Sequence, residues 1–203
     1  MCLTPRAIPA LLTGLGLLAL SVSGAAAQPV PATALLRRPL DRDSVIQGIP
    51  CARTHDAPIE LYKASGRLAG CALSTDFTEA GHRFANGTWL DRSEQGVLWG
   101  AWLAQDTPLA GHTCRGEGYK AWSTRFAPSG ALTSCYLAKD TVIDGVPCMA
   151  GSFWREVRGG SRTTLYVFGN GRLKRCQLSR AAIVDGRRLD KWAVIARDSA
   201  PGP

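Results

Sequence analysis

A spaced frame of glycine, leucine, cysteine and aspartate recurs along this chain, and few folds accommodate it. In its best-kept copy, Gly130 to Gly151, Leu132 stands at +2 from the first glycine, Cys135 at +5, Leu137 at +7, Asp140 at +10, Gly145 at +15 and Cys148 at +18. Without gaps the frame also fits from Gly66 (Leu68, Cys71, Leu73, Asp76, Gly81, Phe84) and from Gly96 (Leu98, Ala101, Leu103, Asp106, Gly111, Cys114). From Gly171 it runs through Leu173, Cys176, Leu178, Gly186 and Leu189, with Ala181 replacing the aspartate. A worn copy comes first, with Leu35, Leu40, Asp43, Gly48 and Cys51. The four starts lie 30, 34 and 41 residues apart, and the extra length falls between frames. That spacing belongs to repeat architectures in which each unit covers its neighbour.

The local chemistry is that of strands. Ala64-Ser65-Gly66, Pro128-Ser129-Gly130 and Gly169-Asn170-Gly171 precede the frames as turns, glycine supplying the positive φ a tight hairpin needs. Before those turns lie Ile59-Glu60-Leu61-Tyr62, Thr124-Arg125-Phe126 and Leu165-Tyr166-Val167-Phe168, β-rich in type. No segment sustains a capped 3.6 period. The expectation is an all-β chain, an extended antiparallel meander of about four and a half β-hairpin repeats; a β-solenoid remains the alternative.

Cysteines occupy only two columns, +5 (Cys71, Cys135, Cys176) and +18 (Cys51, Cys114, Cys148). Joining each +18 to the +5 of the next frame uses all six, as Cys51–Cys71, Cys114–Cys135 and Cys148–Cys176, and the one junction without cysteines lacks both, having Phe84 and Ala101. Joining within frames would pair Cys135 with Cys148 and strand the other four. Each between-frame bridge would close a loop of about 20 to 28 residues, worth roughly 3–4 kcal/mol on the chain-entropy model. No C-x-x-C occurs, which argues against a zinc knuckle or a redox dithiol.

This grammar, an apolar or aromatic pair, a turn ending in glycine, then leucine and a short strand, resembles the MORN-type repeats of the YwqK-like antitoxin group. It is carried by Leu61-Tyr62…Gly66-Arg67-Leu68, Phe126…Gly130-Ala131-Leu132 and Val167-Phe168…Gly171-Arg172-Leu173, within residues 59–192. The resemblance implies a β-hairpin repeat fold and hints at a protein partner that is neutralised by binding. Those repeats are usually shorter and poor in cysteine, so this chain departs from them.

Residues 1–27 read as a cleavable secretory signal: Arg6, an uncharged run from Ala7 to Val22, and an A-x-A site at Ala25-Ala26-Ala27. Residues 28–34 form a Pro-containing linker, 35–198 a single repeat domain and 199–203 a disordered tail. Loss of the signal removes Cys2 and leaves an even six cysteines, the count of a disulfide framework in an exported chain. No other run approaches membrane-spanning length. A periplasmic or secreted protein is expected.

Several columns could carry chemistry, each with a plainer reading beside it. The +10 aspartates Asp43, Asp76, Asp106 and Asp140 could form a calcium ladder, but one carboxylate per turn suits backbone capping better. His82 and His112 share the +16 column and His55 stands alone; no third ligand recurs in register, so no metal is expected. Trp89, Tyr119 and Phe153 make an aromatic column that either stacks sugar rings or, the favoured reading, fills a buried face. Between Arg155 and Asp198 stand eleven basic residues and four acids, among them Lys174, Arg175, Arg187, Arg188 and Lys191, a bias toward anionic partners or a solvated face. No catalytic, nucleotide or nucleic-acid motif appears. The function expected is that of a non-catalytic binding or structural module of the cell envelope without a cofactor, most simply a protein-protein interaction module. The alternative is binding of anionic glycan or envelope lipid by the basic C-terminal repeat and the aromatic row.

Overall fold

A computed structural model describes residues 34–54, 56–116, 123–152 and 163–200. The proposed signal, His55, Tyr119, Trp122, Phe153, Trp154, Arg155, Arg158 and Arg162 lie outside the described residues. Each frame contributes strands of two kinds. Longer ones are β1 (Leu35–Arg38), β4 (Ile59–Tyr62), β5 (Leu68–Ala72), β8 (Trp89–Arg92), β9 (Leu98–Trp102), β12 (Ser123–Phe126), β13 (Leu132–Tyr136), β16 (Thr164–Val167), β17 (Leu173–Gln177) and β20 (Val194–Ala196). Between them come short hairpins: β2 (Ser44–Ile46) with β3 (Ile49–Cys51), β6 (Phe77–Glu79) with β7 (His82–Phe84), and β10 (Thr107–Leu109) with β11 (His112–Cys114). Two more follow, β14 (Thr141–Ile143) with β15 (Val146–Cys148) and β18 (Ala182–Val184) with β19 (Arg187–Leu189).

The longer strands form one antiparallel meander in the order β1-β4-β5-β8-β9-β12-β13-β16-β17-β20. The expected all-β meander of hairpin repeats, stapled by disulfides, is the observed fold. The short hairpins add a second layer to the expected meander. Their inward residues Ile49, Phe84, Leu109, Ile143, Val146 and Val184 join one core with Ile59, Leu90, Leu165 and Ile195 of the sheet. In the four full frames the +2 and +7 leucines, Leu68, Leu98, Leu132, Leu173 and Leu73, Leu103, Leu137, Leu178, are each at 2% exposure or less, whereas in the worn copy Leu35 is 40% exposed and Leu40 partly buried. At roughly 1.5–3 kcal/mol per fully buried leucine, these two columns are a main source of cohesion.

The turns explain the glycine columns. Ser93, Ala127 and Phe168 each accept the amide of the residue three on, a glycine (Gly96, Gly130, Gly171), and donate to the carbonyl of the residue four on. This is a three-residue hairpin loop closed by a left-handed glycine. The short hairpins use two-residue loops in which both residues have positive φ: 50° at Ala80 and 78° at Gly81, 49° at Asp144 and 77° at Gly145. That is the I′ geometry matching strand twist, and it is why glycine holds +15.

Cys51–Cys71, Cys114–Cys135 and Cys148–Cys176 are bonded, each tying a short hairpin to the next long strand. The isolated bridges Cys51↔Leu73, Cys114↔Leu137 and Cys148↔Leu178 bring +18 opposite the next +7, so +5 lies diagonally within reach. At the unstapled junction Phe84 and Ala101 are buried at 0% and 1%, and Phe84 meets Phe126 edge-on at 5.9 Å. The three bridges are compatible with an oxidising compartment outside the cytosol. Among the described residues no helix is long and apolar enough to cross a membrane.

Candidate binding face

Strand register builds one unbroken row across all ten strands. Arg37, Glu60, Gly70, Asp91, Gly100, Arg125, Ser134, Tyr166, Arg175 and Ala196 are successive cross-strand partners. Directly paired residues share a face. Their chain neighbours Cys71, Leu90, Ala101, Cys135, Leu165, Cys176 and Ile195 point the other way, into the core under the hairpin layer. The row therefore lies on the outer face.

A bulge recurs in each long hairpin, between Glu60/Leu61, Asp91/Arg92, Arg125/Phe126 and Tyr166/Val167. The extra residue falls at +3: Ala69, Trp99, Thr133 and Lys174. Bulges of this kind re-aim side chains beside the ladder. Trp99 is left 43% exposed, and the Arg125 guanidinium lies 4.2 Å from its ring centroid. Tyr166 is 37% exposed with Arg175 5.7 Å away, and the Lys174 ammonium is 5.7 Å from the Phe168 ring.

The middle of the row is packed. Trp89 donates from Nε1 to Asp91 Oδ1 at 2.8 Å, and its ring lies 5.9 Å from that of Trp102. Gly70 permits this, since a Cβ there would meet Trp89 atoms at 2.8 Å. Gly100 likewise makes room for Arg125 Nη1, 3.8 Å from Asp91 Oδ2. Burial first, then the nearby Glu94 and Asp91 carboxylates, raises the Tyr62 phenol above its ordinary value, so it stays a neutral donor to the Arg92 carbonyl at 2.7 Å. Charge divides along the row. Arg37 is paired with Glu60 at 3.0 Å, whereas no carboxylate pairs with Lys174 or Arg175 among the described residues.

The candidates from sequence fall in different places. Trp89 is on the outer face but only 8% exposed, spent on packing; Tyr119 and Phe153 lie outside the described residues. Lys174 and Arg175 stand on the outer face, while Arg187 and Arg188 belong to hairpin β18–β19 in the layer on the opposite face. Lys191 follows that hairpin, its ammonium 4.8 Å from the Trp192 ring. The five cations do not converge on one patch. Asp43, Asp76, Asp106 and Asp140 each accept, through Oδ1, the amide ten residues on (Arg53, Asn86, Gly116, Ala150) at 2.6–3.0 Å. They clasp hairpin bases, a longer reach than a local turn. His82 and His112 donate from Nε2 to the carbonyls of Gly130 and Gly171, both at 2.8 Å, pinning hairpin tips to long turns. Among the described residues no three metal-ligating side chains cluster.

Sequence reading missed Trp99, Arg125 and Tyr166. Strand alternation carried across frames would have aligned Arg125 with Tyr166, but the bulge that turns Trp99 outward has no sequence signature of its own. No family model, curated protein or solved structure matches this chain.

Proposed function

We propose that the chain is an exported, non-catalytic binding module whose outer sheet face docks an acidic patch on a partner protein. One observation carries this: the row places Arg125, Tyr166 and Arg175 in register on one face, with Trp99 and Lys174 turned out beside them. Trp, Tyr and Arg are the residue types that dominate interface hot spots. They are held here on paired strands, so ordering them costs little on binding. The resemblance to YwqK-like antitoxins makes a protein ligand the first class to test, and the disulfides suit an envelope location.

A second reading, an anionic glycan or lipid headgroup, is favoured by the same exposed cations of β17, Lys174 and Arg175, which no carboxylate among the described residues pairs. Capture from the cell envelope separates the two. A partner protein should be retained at high salt and by an Arg188→Glu variant, and lost with Arg175→Glu or Tyr166→Ala. Polysaccharide or lipid held by the wild type and by Arg188→Glu, released by salt and lost with Arg175→Glu, would favour the second reading. Retention of the partner by Arg175→Glu and Tyr166→Ala would sink both.

A further inference from the structure

The sheet is a series of hairpins divided mid-hairpin at both sides. β4–β5, β8–β9, β12–β13 and β16–β17 are complete pairs. Arg37 of β1 pairs Glu60 as Gly100 pairs Arg125 and Ser134 pairs Tyr166, so β1 stands in the second-strand position, with no first strand beside it among the described residues. Ala196 of β20 pairs Arg175 as Asp91 pairs Gly70, so β20 stands in the first-strand position, with no second strand beside it among the described residues. Each is paired on one side only among the described residues. In an alternating meander, β1 placed beside β20 of another copy runs antiparallel to it.

Backbone polarity matches too. The Arg197 amide donates to Lys174 and the Ala193 carbonyl accepts from Leu178, so by alternation the main-chain groups of Val194 and Ala196 face outward. On β1 the Ala34 carbonyl accepts the Lys63 amide, which turns Leu35 and Arg37 outward. Leu35, Leu36 and Val194 are 40%, 48% and 37% exposed along these edges.

We infer that the chain associates head to tail with a second copy, β20 of one pairing with β1 of the next and Ala196 standing opposite Arg37. The junction continues the interface that each repeat already makes with its neighbour. The small Ala196 leaves room for Arg37, which stays bonded to Glu60. Leu189, at +18, falls over Arg38, at +5, the columns bridged by cysteines elsewhere. Arg38 sets the strength: an inward-directed charge on an edge strand weakens pairing, so association is reversible. The interface is heterologous and does not close on a twofold. It is independent of the outer-face reading.

Sedimentation of the disulfide-bonded chain over a range of concentrations tests it. Reversible oligomers beyond the dimer are expected, lost with Ala196→Pro, which removes an outward amide only, and strengthened by Arg38→Ala. Register is tested by the Arg38→Cys/Leu189→Cys pair, which should oxidise to a ladder whose new link maps to 38–189. The Arg37→Cys/Leu189→Cys pair, with residue 37 on the opposite face, should not. Monomers at every concentration without a 38–189 link, oligomers that survive Ala196→Pro, or an equally abundant 37–189 link would each overturn the inference.

Discussion

The Asp140 carboxylate accepts the Ala150 amide at 2.8 Å across the base of hairpin β14–β15. Repeat four has Ala181 at the corresponding position, so its hairpin lacks this clasp. Asp140→Ala should cost about 1 kcal/mol, and Ala181→Asp should stabilise by a similar amount. Chemical denaturation of the oxidised protein reads both. Equal effects of opposite sign are expected; a neutral Ala181→Asp would mean that the clasp depends on more than its frame position.

Asp76 makes the same clasp and also pairs with Arg83 at 2.9 Å. The Asn86 amide, then Arg83, holds its carboxyl below the ordinary 3.8. Because the folded value is depressed, this contribution is fully present above the unfolded value and fades as pH falls through the folded one. Asp76→Asn should therefore lower stability slightly at neutral pH, with the difference from the wild type closing as pH falls below about 4, so that the acid limb flattens. The site is solvent-exposed, so the effect is small; thermal melts from pH 2 to 7 would show it.

Thr124 faces the core at 1% exposure, and its hydroxyl has no hydrogen-bond partner among the described residues. Ile59, Leu90, Leu165 and Ile195 fill the equivalent positions on the other first strands. Thr124→Val keeps the shape and removes the stranded polar atom, so it should stabilise the fold by about 1 kcal/mol or more. A lower denaturation midpoint would show that the hydroxyl is satisfied.

Gly100→Ala would set a Cβ 2.8 Å from Arg125 Nη1 and 3.1 Å from Asp91 Oδ2. The guanidinium is the flexible party, so it should swing off Trp99 at little cost in stability. Tryptophan emission should shift, and capture of the outer-face partner should fall while the melting point holds. An unchanged spectrum would mean that the arginine keeps its place over the ring.

Much of the fold could be read in the chain because its periodic residues have single structural jobs. In the four full frames leucines at +2 and +7 are core, glycines at 0 and +15 are turns, and the cysteine columns admitted one self-consistent pairing. The second layer was not legible, since β6 and β7 are three-residue strands whose hydrophobic pattern is too short to show a face. The outer face was harder still. Trp89 and Trp99 look alike in sequence; packing over Gly70 buries one, and a bulge exposes the other. A charge count also gathered Arg175 with Arg188, which the two layers hold on opposite faces.

The placement of the three bridges has a mechanical consequence. Under tension along the backbone, the loops 51–71, 114–135 and 148–176 are short-circuited by sulfur and cannot pay out. The stretch from Cys71 to Cys114 can, yielding on the order of 140 Å at about 3.4 Å per residue. Phe84 and Ala101, both fully buried, stand in the cysteine positions there, so of the stretches between bridges this is the one that lengthens most when the molecule is pulled.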